Sequence, residues 1–134
     1  MKSGCEIQMA DIVLTFAVCT FNRAFRLPLL LDKMSSQKCT EKFEILIINN
    51  NSTDNTEKVV LDKMRATAYP QIRLVNEYSQ GIVFARNRAI EESVKSKYLV
   101  FIDDDELPHP GYLQAVVDSF CNNDVSVVGG RIYV

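Results

Sequence analysis

Apolar runs of strand length alternate with helical patterns along almost the whole chain, and this alternation constrains the fold more than any other feature. Residues 11–19 are rich in β-branched side chains and nearly continuous, as a strand buried on both faces should be. Residues 44–49, 72–76, 98–103 and 125–130 read as further strands. The spacing predicts helices over 23–36, 53–68, 81–96 and 110–122. Pro28 and Pro110 are placed for first helical turns, and Pro70 lies beyond the end of the second helix. Strands alternating with helices imply right-handed crossovers and a helix-covered sheet. The expected fold is α/β, a Rossmann-like three-layer α/β/α sandwich with a mainly parallel sheet.

A chain of 134 residues can bury about two-thirds of its unfolded surface in one core, so 1–134 read as a single domain with 1–10 as an N-terminal extension. Several classes are excluded. A formal net charge of -2 leaves no basic footprint for nucleic acid. No apolar run approaches the ~18 residues of a membrane span, and residues 1–10 lack the apolar stretch of a signal peptide. Cys5, Cys19, Cys39 and Cys121 show no CxxC pairing. With His109 the sole histidine, zinc spacing is absent too, and reduced cysteines in a cytoplasmic protein are expected. His109 lies between Pro108 and Pro110, a poor setting for a Ser–His–Asp site.

In sheets of this kind ligands bind beyond the carboxyl ends of the strands, where strand order switches. The polar residues collect there: Thr20 to Arg23 after the first strand, Asn49 to Thr53 after the second, and Asp103 to Glu106 after the fourth. Asp103, Asp104, Asp105 and Glu106 repel one another at the end of an apolar strand. A divalent cation, Mn²⁺ or Mg²⁺, would relieve that repulsion through hard oxygen ligands; the alternative is an acidic turn facing water. Arg86 falls among Ile82, Ala85, Ala89, Ile90 and Val94 on the expected buried face of the third helix, with Arg88, Glu91 and Lys95 opposite. A guanidinium in an apolar stripe needs a partner, and the acidic loop or a bound phosphate would supply one. Reaching past the helix end to water is the other solution.

The remaining segments read two ways. Residues 49–54 (NNNSTD) form either a turn with Ser52 or Thr53 as N-cap, or a loop whose amides meet the edge of a base. Phe21 either stacks on a nucleobase or packs under the sheet. Gly81 either lets backbone approach a phosphate or frees the helix entry.

Taken together, CTFNR at 19–23, FEILIINNNSTD at 43–54, GIVFARNRAI at 81–90, YLVFIDDD at 98–105, PGYL at 110–113 and VGGR at 128–131 resemble the nucleotide-sugar-binding region of family 2 glycosyltransferases of GT-A fold. The motifs occur in order from about residue 11 onward. The resemblance implies metal-dependent, inverting transfer of a sugar from a UDP-, dTDP- or GDP-sugar to a sugar, lipid-linked or protein acceptor, often in cell-surface polysaccharide synthesis. It implies that Asp105, with Asp103, holds the cation in the family's DXD manner. Thr20, Phe21, Asn22, Arg23, Asn50, Ser52, Gly81, Arg86, Asp103 and Asp104 would hold the nucleotide sugar, with Asn50 at the base edge. The family often has acidic residues where this chain has Asn49 and Asn50.

The family's acceptor half and its general base lie downstream of the matched segments, so the domain is expected to end short of them at its C-terminus. The expectation is therefore a donor- and metal-binding half, cytoplasmic or peripheral at the inner membrane face, with an uncovered sheet inviting homo-oligomers. Two alternatives are a non-catalytic nucleotide-binding or interaction module and a metal-dependent nucleotidyltransferase. The latter fits less well, since residues 20–27 lack glycine.

Overall fold

The computed structural model of the chain describes residues 12–131; the expected extension at 1–10, with Cys5, and residues 132–134 lie outside the described residues. Four strands, β1 (Leu14–Thr20), β2 (Phe43–Asn49), β3 (Gln71–Asn76) and β4 (Tyr98–Phe101), form one sheet in the order β3-β2-β1-β4. Every pairing is parallel. Helices α1 (Leu27–Ser35), α2 (Thr56–Ala66), α3 (Ile82–Glu92) and α4 (Tyr112–Asn122) make the crossovers and follow the last strand.

Strand alternation divides the core. Leu14, Phe16, Val18, Phe43, Ile45, Ile47, Ile72 and Val100 point to one face, where they meet Leu27, Leu30, Leu31 and Met34 of α1, Val60 of α2, and Leu113, Val116 and Val117 of α4. Ala17, Leu46 and Ile48 point to the other face and meet Ala85 and Ala89 of α3. The three layers are therefore unequal, with three helices on one face and α3 on the other. The first two strands are buried along nearly their whole length, which is why they read as unbroken apolar runs.

Several element ends differ from expectation for identifiable reasons. α1 starts at Leu27 rather than 23, preceded by a turn in which Arg23 carbonyl accepts the Arg26 and Leu27 amides. α2 starts at Thr56 because the Thr53 and Asp54 amides donate to Asn22 Oδ1 instead. Neither Ser52 nor Thr53 is the N-cap: that position is Asn55, without a side-chain cap bond, and Asp54 just before it accepts the Thr56 amide on Oδ1 at 3.0 Å. α3 stops at Glu92, four residues early, because the Ser93 hydroxyl turns back to Ile90 carbonyl and the chain must enter β4.

The expected fifth strand at 125–130 does not form. Those residues pair with no described strand, and Val127 is 85% exposed. Valine-rich sequence favours a strand only where a neighbour supplies the ladder. Among the described residues no helix is long and apolar enough to cross a membrane.

Candidate functional site

The switch in strand order falls between β1 and β4, which run out from it on opposite sides. β4 leaves the sheet early: Phe101 pairs with Ala17, and β1 continues three residues further to Thr20. The chain after Ile102 is thus free to fold over the end of β1. A cleft of about 440 Å³ opens there, and among its lining residues are Thr20, Phe21, Arg23, Asn50, Gly81, Arg86, Asp103, Asp104 and Asp105. Residues from four separate loops meet in one place, as the strand-end rule requires.

The acidic loop divides its labour. Asp104 turns inward, where its Oδ2 accepts the Thr20 hydroxyl at 2.9 Å and stands 3.8 Å from Arg23 Nε. Glu106 closes the turn, its amide donating to Asp103 carbonyl at 3.1 Å and its Oε2 accepting the Asp103 amide at 3.4 Å. Asp103 and Asp105 remain exposed at the cleft. The four carboxylates of the loop are therefore one anchor, one turn-closer and two outward groups. Two exposed carboxylates match the number with which Mg²⁺ is commonly held, the remaining positions going to water and phosphate. Among the described residues no three His, Cys, Asp or Glu side chains converge as a self-sufficient metal site.

Arg86 corrects an expectation. It does not lie in a buried stripe: its side chain is 52% exposed, and Ile82 and Ile90 are also more than half exposed. Only Ala85 and Ala89 of α3 are buried, so the helix rests on the sheet along a much narrower line than its apolar residues suggest. The partner is the expected one, with Arg86 Nη2 donating to Asp103 Oδ1 at 3.4 Å.

The amide-rich loops are fixed to one another. Asn22 has φ 51° and Asn51 φ 61°, left-handed conformations that asparagine tolerates better than most residues. Asn22 amide donates to Ser52 Oγ at 3.0 Å, and Asn22 Oδ1 accepts the Thr53 amide at 2.7 Å. Asn22 and Ser52 consequently do not line the cleft; they join the loops after β1 and β2 beside it.

Asn50 is buried, and its Nδ2 donates to Glu77 carbonyl at 3.1 Å and Ser79 carbonyl at 2.7 Å. Its Oδ1 accepts the Gly81 amide at 2.9 Å. It borders the cleft while fastening the loop that leads into α3. Gly81, at φ 137°, opens that helix in a conformation that side-chain-bearing residues rarely adopt.

Sequence reasoning missed Gln80, Ile82 and Ala85 as lining residues, although all three adjoin or lie within the 81–90 motif. Cys19 also lines the cleft. Burial pushes its thiol up to about 11; Arg86 pulls the other way, and Asp103 and Asp104 reinforce burial. Cys19, Cys39 and Cys121 are free thiols.

The chain is similar to known proteins. The family model described as glycosyl transferase family 2 matches residues 15–134. Glycosyltransferase AglE of Haloferax volcanii is 32% identical over 114 residues, covering 84% of this chain and 36% of that protein. S. aureus TarS 1-349 superposes with a TM-score of 0.73 at 19% identity, covering 91% of this chain and 38% of that solved chain, a likeness of fold. The mannosyltransferase PcManGT from Pyrobaculum calidifontis, solved in complex with GDP-Man and Mn²⁺, superposes with a TM-score of 0.68 at 26% identity over 77% of this chain and 31% of its own. The chain thus spans roughly a third of AglE and of the solved TarS 1-349 and PcManGT chains.

Proposed function

The chain belongs to glycosyl transferase family 2 and carries its GT-A type of Rossmann-like fold, and on that premise we propose that the strand-end cleft binds a nucleotide-diphosphate sugar together with Mn²⁺ or Mg²⁺. One observation carries the reading. A single cleft gathers an exposed aromatic ring, an exposed guanidinium and two outward carboxylates. That combination suits a base, a diphosphate and a cation.

Asp105 and Asp103 would hold the cation, which when bound supplies Lewis-acid stabilisation of a diphosphate leaving group. Phe21, 44% exposed, offers a stacking face to the base beside Thr20. Arg86 and Arg23 offer charge-assisted donors to phosphate oxygens, and α3 begins at the cleft with its positive end, which favours an anion. Asn22, Ser52, Asn50 and Asp104 serve by fixing the loops that carry these groups. PcManGT's complex with GDP-Man and Mn²⁺ supports this choice of ligand class.

The reaction proposed for the whole protein is inverting transfer. The acceptor oxygen forms a bond to the sugar carbon as the carbon–diphosphate bond breaks, and the acceptor's proton passes to a base. Titration of the chain with UDP, dTDP and GDP, each with and without Mn²⁺, tests the reading. Binding of at least one nucleotide that weakens tenfold or more without metal is expected; failure of all three to bind with Mn²⁺ overturns it.

A further inference from the structure

Helix α3 is held to the sheet more by charge than by apolar contact. Ala85 and Ala89 supply its buried residues and pack on Ala17, Leu46 and Ile48, a narrow apolar contact for a helix of 11 residues. Polar groups hold both ends. At the start, Asn50 fastens Gly81. At the other end, Glu44 on β2, 4% exposed, faces α3 from beneath the sheet's surface. Its carboxylate accepts the Thr15 hydroxyl at 3.0 Å and both arms of Arg73 on β3, Nε at 2.9 Å and Nη2 at 3.0 Å. The same guanidinium reaches α3, with Nη1 donating to Glu92 Oε2 at 3.1 Å and Nη2 to Glu92 carbonyl at 2.9 Å. The planar fork grips the Glu44 carboxylate bidentately and still reaches both the carboxylate and the carbonyl of Glu92, four bonds where a lysine ammonium has three donors and no fork.

We propose that Arg73 is a positioning residue of the donor site: by fixing the last turn of α3 on β2 and β3, it sets where Arg86 stands across the cleft from Asp103. Arg73 does not line the cleft. It acts along the helix, since Arg86 and Glu92 lie less than two turns apart on one rigid element. The ligand arm of this inference rests on the function proposed above.

The test compares Arg73→Lys, Arg86→Ala and the double variant, with Glu92→Gln as a milder release of the same contact. In hydrogen exchange, α3 amides should exchange about tenfold faster in Arg73→Lys while those of β1 and α1 keep their protection. Affinity in Mn²⁺ for whichever of UDP, dTDP and GDP the wild type binds most tightly should fall about fivefold, a coupling at the low end of the usual range. The double variant should bind no more weakly than Arg86→Ala, because the two changes share one route. Glu92→Gln should move both readouts in the same direction by less. It also decides the matter alone if Arg73→Lys does not fold. Unchanged α3 exchange, or losses that add in the double variant, overturns the inference. If the wild type binds no nucleotide, the proposed function fails, and α3 exchange still judges Arg73.

Discussion

Arg86 Nη2 lies 3.4 Å from Asp103 Oδ1 at the mouth of the cleft, with the two side chains 52% and 59% exposed. An open pair of this kind is hydrated and screened, and contributes at most about 1 kcal/mol to stability. Arg86→Ala should therefore leave the melting temperature almost unchanged. The same guanidinium facing a diphosphate makes a charge-assisted contact worth about 1.5–3 kcal/mol, so the variant should bind nucleotide more than tenfold more weakly. Calorimetric melting and titration separate the two effects. A large loss of stability would show that Arg86 anchors the fold, as a buried position would require.

Asp104 and Asp105 are neighbours in sequence with opposite duties. Asp105→Asn should abolish the metal dependence of binding and leave thermal stability intact, because the side chain is exposed at the cleft. Asp104→Ala removes the acceptor for Thr20 and the carboxylate beside Arg23, and should cost about 1–3 kcal/mol. If melting temperatures respond in the reverse order, the division of the acidic loop is wrong.

Much of the fold was legible because parallel strands buried on both faces write their burial directly into sequence, as residues 14–20 and 43–49 do. The strand-end location of the site followed from topology alone. α3 was misread for a physical reason: Ile82 and Ile90 have the period of a buried stripe, yet alanines make the contact and the isoleucines face outward. The segment at 125–130 has strand propensity but no described partner. Tertiary polar contacts were the least visible. Asn50 to Ser79, Arg73 to Glu44 and Gln37 to His109 join residues 29, 29 and 72 positions apart. No local pattern encodes such pairings.

Asn50 shows what that invisibility conceals. As a residue matched to a base-binding motif it should tolerate aspartate, which accepts hydrogen bonds equally well. In the folded chain its Nδ2 is the sole donor to two loop carbonyls among its own side-chain atoms. Asn50→Asp would bring carboxylate oxygens against those carbonyls at a buried position, and should cost about 2–4 kcal/mol at neutral pH. Chemical denaturation checks this; an unchanged midpoint would mean that the 77–81 loop holds itself.

Cys19 should resist alkylation. Burial raises its thiol to about 11, so little thiolate exists at pH 8, whereas Cys121 is exposed. Peptide mapping after brief iodoacetamide treatment of the folded chain should find Cys121 modified well ahead of Cys19. Equal labelling would show that the cleft floor opens readily.

Asp54 ties the start of α2 to the loop before α1 and should give stability a measurable pH dependence. Its Oδ1 accepts the Thr56 amide at the start of α2, and its Oδ2 accepts the Ala24 amide at 3.1 Å across the loop before α1. Desolvation pushes its carboxyl upward, but the bonds from Thr56 and Ala24 outweigh that and hold it below the ordinary aspartate range. A carboxyl depressed in the folded state stabilises fully above its unfolded value, near pH 3.9, and loses that contribution as pH falls through its folded value. Asp54→Ala should therefore destabilise by about 1 kcal/mol at pH 7, as loss of a helix-start acceptor does. The gap between variant and wild type should persist down to about pH 4 and shrink below it. Denaturant midpoints measured from pH 7 to pH 2.5 provide the check, and a gap that stays constant to pH 2.5 would show that the ionised carboxylate is not what holds the two loops.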